Sequence, residues 1–153
     1  METWSELKRA APDIAAFGRD RLDGKVAYLA TTKTTGKPRV HPVTAILSDQ
    51  HCFIFAEPDS SKVRDFSFNP LFSLHCAMSD SSGSSGEFQM TGEAYQVQDL
   101  ALREEAEANC TFRPSVRSIL FELRVEEAVA TSYRGGRPDR RRWHSSTLQN
   151  DRG

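Results

Sequence analysis

The spacing of apolar residues changes several times along the chain, and each change marks an element. The opening region reads as one broken helix: Ile14, Phe17 and Leu22 share a stripe, Pro12 stands where a second helix begins, and Asp23-Gly24 stops it. From Lys25 the period shortens. "KVAYLATT" is a β-rich segment, and Gly36 and Pro38 in "KTTGKP" punctuate a hairpin before "RVHPVTAIL". That second strand alternates, with Val40, Pro42, Thr44 and Ile46 on one face and His41, Val43, Ala45 and Leu47 on the other. "HCFIFAE" is a third strand, apolar on both faces, as expected where a sheet curls into a barrel.

A short helix then runs from a cap at Asp59 or Ser60 through Asn69, with Val63 and Phe66 three apart, and "NP" ends it. "LFSLHCAM" and "EFQMTGEAYQV" follow as strands four and five. The small-residue loop "SDSSGSSG" between them has little apolar area to bury. Asp99 is placed to cap the helix "LALREEAEAN", and "SILFELRVEEAVATSY" is strand six. Beyond Gly135-Gly136 no period is visible. The pattern predicts a mainly β fold with minor α: a six-stranded antiparallel closed or split β-barrel with an N-terminal helix and short connecting helices, a sandwich being the competing architecture.

A length of 153 residues suits one domain, here residues 1–133, followed by an arginine-rich tail over 134–153. The formal charge of -1 divides into -5 up to Tyr133 and +4 beyond it, so the folded part lacks the basic face that nucleic-acid binding requires. Cys52, Cys76 and Cys110 are scattered and odd in number, which fits a reducing, cytoplasmic setting better than a disulfide framework. The N-terminus has no apolar signal core, and no apolar run approaches the ~18 residues of a membrane span. His51-Cys52 and His75-Cys76 bring metal-binding side chains together in sequence. Adjacent strand residues point to opposite faces, however, so neither pair chelates one ion and no metal site is expected. Cys52, Cys76 and Phe72 read as core.

In "EPDSSKVRDFSFNP" two hydroxyls and Lys62 crowd a strand-to-helix turn. Ordinary capping accounts for Asp59 or Ser60 but not for the lysine. Taken in order and spacing, "VAYLATTKTTGKPRVHPVTAI", "FAEPDSSKVRDFSFNPLFSLHC" and "FQMTGEAY" resemble the pyridoxamine 5'-phosphate oxidase-like, FMN-binding split-barrel family, over about Lys25 to Tyr133. The resemblance implies a homodimer with flavin in two clefts at the subunit interface. It lays Arg39, Val40, His41 and Pro42 along the isoalloxazine ring and puts Ser60, Ser61 and Lys62 on the ribityl phosphate, at a helix start whose free N–H groups and dipole favour an anion. Phe55 and Ala56 stand where the preceding strand end meets the cofactor, and Glu87 where the opposite strand offers a polar group. Arg39 is expected to share the anion with Lys62, and Trp143 to pack near the flavin or the dimer interface.

The sequence departs from the family's pattern in three ways. Ser61 replaces the arginine of a common Ser-Arg-Lys turn, removing one strong bidentate partner for the phosphate. Glu87 replaces an uncharged group, and the C-terminal arginine and histidine that hold a vitamin B6 substrate have no match, so that reaction is not carried over. The implied function is a flavin-dependent oxidoreductase of unknown substrate, using FMN or the deazaflavin F420, in which the flavin ring accepts and donates hydride. The alternative is a non-catalytic protein that binds, stores or senses flavin, F420 or haem, and a third reading is a structural dimer.

Overall fold

The computed structural model describes residues 1–146; the last seven residues of the expected tail, 147–153, lie outside it. Two helices open the chain, α1 (Trp4–Ala10) and α2 (Pro12–Leu22), with Pro12 at the start of the second as its fixed φ favours. Among the described residues eight strands follow: β1 (Val26–Thr32), β2 (Pro38–Thr44), β3 (Ile46–Leu47), β4 (Cys52–Ala56), β5 (Leu71–Cys76), β6 (Glu87–Gln96), β7 (Ile119–Arg134) and β8 (Arg137–His144). Helix α3 (Ser61–Phe68) links β4 to β5, and α4 (Leu100–Ala108) lies between β6 and β7, capped by Asp99 as its sequence predicts. Among the described residues no helix is long and apolar enough to cross a membrane.

All pairings are antiparallel, and the hydrogen-bonded order is β2-β1-β5-β6-β7-β4-β3. Only Ala45 separates β2 from β3, so the two ends of this order are one bent strand and the sheet closes on itself. The six predicted staves are therefore present, the second of them broken at Ala45. Leu29, Val43, Ile54, Leu74, Met90 and Leu123 fill the interior, together with Cys52, Cys76 and Phe72. Trp4 from α1 meets Phe88 edge-on at 6.3 Å between ring centroids. The double-sided apolar strand also has its explanation. Phe53 points outward with Ile46 and Leu120 into a second cluster that α4 covers through Ala106.

The arginine-rich segment corrects the sequence reading, because Arg137–His144 forms β8 and pairs with β7 from Glu127 to Arg134. Its side chains are mostly exposed, so no apolar period announces it. The Gly135-Gly136 turn, with φ of 57° and 77°, sets the two-residue hairpin instead. β7 thus keeps β6 along one edge while its other edge serves β4 and then β8, which is the split in the barrel.

The bend in β7 depends on Gly92. The β6–β7 register slips between Thr91 and Gly92, and a Cβ at Gly92 would stand 1.7 Å from the Arg124 carbonyl oxygen. Gly92→Ala is expected to lower stability by more than about 3 kcal/mol, or to leave the chain insoluble; an unchanged urea midpoint would show that the bulge relaxes freely.

Candidate functional site

The end of β4 and the start of α3 form one wall of a cleft of about 300 Å³, lined by Phe55, Ala56, Glu57, Ser60 and Lys62. The other wall is the loop between α4 and β7, which contributes Phe112, Arg113, Pro114, Ser115 and Ser118. Ser60 is the N-cap residue of α3, but neither it nor Asp59 caps through its side chain. The Ser60 hydroxyl is instead buried without a hydrogen-bond partner among the described residues. An orphaned hydroxyl beside uncapped helix N–H groups and a lysine is a donor set suited to an oxyanion.

Arg39 is engaged by a carboxylate of α3. Its Nε donates to Asp65 Oδ2 at 2.8 Å, and Asp65 on α3 is only 1% exposed. Thr31 on β1 donates its hydroxyl to the same oxygen at 2.6 Å. Having spent its proton there, Thr31 Oγ1 accepts from His41 Nε2 at 3.1 Å, which fixes the histidine tautomer. Arg39 thus has a counter-charge within the chain, through Nε and Nη2. Burial alone would raise the Asp65 carboxyl, but the bonds from Arg39 and Thr31 and the arginine's charge outweigh it and leave it below the usual range. The His41 imidazole is pushed down, first by burial and then by the charges of Lys62 and Arg39.

The remaining predicted positions divide among other surfaces of the chain. Ser61 opens α3, while Val40 is 66% exposed and Pro42 is also exposed, on the outer face of β2. Glu87 lies on β6, where it accepts from Tyr133 and faces His75 Nε2 at 3.3 Å; chiefly the tyrosine bond holds its carboxyl below the ordinary range. It lines a separate depression with Arg140 and Arg142. Trp143 packs partly against the core and borders a third hollow beside Arg9 and Glu6. Within one chain, then, Phe55, Ala56, Ser60 and Lys62 converge, and Glu87 and Trp143 stand apart from them. Arg113 escaped the sequence reading because an exposed loop arginine carries no pattern that ties it to a turn about fifty residues earlier.

The Arg39–Asp65–Thr31–His41 network makes a stability prediction with a sign. His41 has a depressed folded-state pKa, so the unfolded chain takes up its proton first. Its contribution is complete above the ordinary value of 6.5 and declines as pH falls below it. The depressed Asp65 contributes fully above 3.8 and declines below that. Urea unfolding followed against pH should show both declines, His41→Gln removing only the upper one. Asp65→Ala should cost about 3 kcal/mol at neutral pH, since it strands Arg39 half-buried.

No family model and no curated protein sequence matches the chain. Solved structures do match its fold. A haem-binding protein from Mycobacterium smegmatis superposes with a TM-score of 0.65 at 21% identity, over 92% of this chain and 58% of that one, so the chain spans little more than half of that protein's length. A pyridoxamine 5'-phosphate oxidase-related, FMN-binding protein from Nostoc punctiforme gives 0.64 at 14% identity, over 94% and 92% of the two chains. General Stress Protein 26 from Bacillus anthracis gives 0.64 at 14% identity, over 85% and 97%. The β-dominated split barrel of this chain is therefore the fold of pyridoxamine 5'-phosphate oxidase-like proteins, FMN-binding ones among them.

Proposed function

We propose that the protein is an FMN-dependent oxidoreductase that works as a homodimer. The observation that carries this reading is the buried, unpartnered Ser60 hydroxyl at the uncapped start of α3, in a cleft shared with Lys62. The residues fit a phosphate group: α3 offers N–H groups and dipole, Ser60 and Ser61 offer hydroxyls, and Lys62 offers charge. Phe55 and Ala56 form the adjoining wall. When bound, FMN would supply hydride transfer at its ring, while the chain holds the phosphate, orients the ring and shapes the substrate pocket. Arg39 serves that purpose indirectly, because its bond to Asp65 fixes β2 against α3 and keeps Val40 to Pro42 in place. Free, largely buried cysteines suit a reducing cytoplasm.

The homodimer reading is supported by the outer face of β1, β2 and β5. Tyr28 sits across from Pro42 and Ala30 from Val40, and Val26, Tyr28, Val40 and Leu71 are each about half exposed or more. A second copy would cover this apolar face and bring the partner's residues to the ring side of the flavin.

A haem-binding function is the second reading, favoured by the mycobacterial neighbour named for haem binding, which covers 92% of this chain. F420 is the alternative flavin, and storage or sensing without turnover is the non-catalytic form of either. Purified protein titrated with FMN, F420 and haemin separates them: a flavin spectrum on the FMN complex is expected, and saturable haemin binding with no flavin binding would reverse the assignment. Bleaching of bound flavin by a reduced nicotinamide, followed by reoxidation with an acceptor, distinguishes enzyme from store. Lys62→Ala should weaken FMN by about 1.5 to 3 kcal/mol and leave riboflavin unchanged; equal losses would place Lys62 elsewhere. Val40→Glu should convert a sedimenting dimer to monomer and lower flavin affinity with it.

A further inference from the structure

The turn lacks a cation at Ser61, yet the cleft holds a second one. Arg113 lines it from the opposite wall, facing the wall that carries Ser60 and Lys62. Among the described residues neither Lys62 nor Arg113 takes part in an ion pair, while Arg39 is neutralised by Asp65. Both cations, unpaired among the described residues, line the same cleft as the orphaned Ser60 hydroxyl. Glu57 is the acidic residue among the lining side chains.

The wall that carries Arg113 is braced. Arg103 on α4 donates from Nη1 to the Ser118 carbonyl at 2.8 Å and from Nη2 to the Ser115 carbonyl at 3.3 Å. Its guanidinium also lies 5.3 Å from the centre of the Phe55 ring, and Phe112 meets that ring edge-on at 6.5 Å. The residue before Arg113 is thus held against β4 and the residues after it against α4. A cation on such a loop reaches a bound anion with less ordering cost than one on a free loop.

We propose that Arg113 replaces, from the α4–β7 loop, the arginine missing at Ser61, so that the cleft clamps a phosphomonoester dianion between Lys62 and Arg113. The identity of the ester as FMN rests on the flavin reading; the clamp itself rests on the charges. It makes the cleft selective for a terminal phosphate. A guanidinium on one wall and an ammonium on the other can each take different oxygens of a dianion, with the Ser60 hydroxyl and the α3 N–H groups on the rest.

The test uses the full chain and three probes: FMN, riboflavin and inorganic phosphate. Flavin fluorescence quenching gives the flavin affinities, and the rise in melting temperature gives phosphate binding. Arg113→Ala should weaken FMN on the order of 10- to 100-fold without changing riboflavin, Arg113→Lys should recover part of the loss, and the exposed loop control Arg117→Ala should change neither. FMN affinity that survives Arg113→Ala, or a loss equal for FMN and riboflavin, overturns the clamp and leaves the flavin reading standing. Wild-type protein that ignores FMN but is stabilised by phosphate only when Arg113 is present overturns the flavin reading and keeps the clamp. Failure of both probes on the wild type removes both.

Discussion

A carboxylate that is 1% exposed must be neutralised, and the way Asp65 is neutralised determines how α3 sits on the barrel. Its two partners come from different strands, Thr31 on β1 and Arg39 on β2, so the helix is tied to both at once. Tilting α3 would break charge-assisted bonds in a poorly solvated place, where an unpaired charge costs several kcal/mol. The first turn of α3 consequently stays beside the end of β4, where Ser60 and Lys62 line the cleft. His41, kept neutral by burial and by Lys62 and Arg39, completes the network as a donor without adding a competing charge.

The opposite wall of the cleft is fixed by an independent set of bonds. Glu122 on β7 takes the His51 imidazole and Arg124, and Ser48 donates to Glu105 of α4 at 2.9 Å. His51 also faces Glu105 at 3.9 Å, and with Ala106 pressed into the outer cluster of Ile46, Phe53 and Leu120 these two contacts to Glu105 dock α4 on the barrel. Arg103 then passes that position on to the Ser115 and Ser118 carbonyls. The cleft is therefore bounded by two segments that follow β4 and precede β7, whose Phe55 and Leu120 are paired in the sheet. Preorganisation of this kind suits a site whose chemistry belongs to a bound cofactor, since the protein's share is to hold and orient it.

Sequence patterns exposed the barrel because its staves alternate or run apolar, and the period survives even where Ala45 breaks one of them. β8 was illegible for the converse reason. "RPDRRRWH" buries little, and what makes it a strand is the backbone ladder to β7 and two glycines with positive φ. The turn from Ser60 to Lys62 drew notice because its hydroxyls and lysine are adjacent in sequence, and the family resemblance gave it a role. Arg113 and the Arg39–Asp65 pair could not be read in this way, because they come together only through tertiary packing across long stretches of chain. Asp65 in particular looks like an ordinary polar residue on an amphipathic helix. Only the closing of the barrel puts it under β1 and β2, where Thr31 and Arg39 bond it.

The most direct measurement of the central claim is a crystal structure of the protein grown with FMN. The account predicts the flavin phosphate at the start of α3, within hydrogen-bonding distance of the Ser60 hydroxyl and the Lys62 ammonium, with the ring toward β2 at a subunit interface. A phosphate turned to solvent, or a flavin seated on the Glu87 or Trp143 surface of the same chain with the α3 cleft empty, would contradict it.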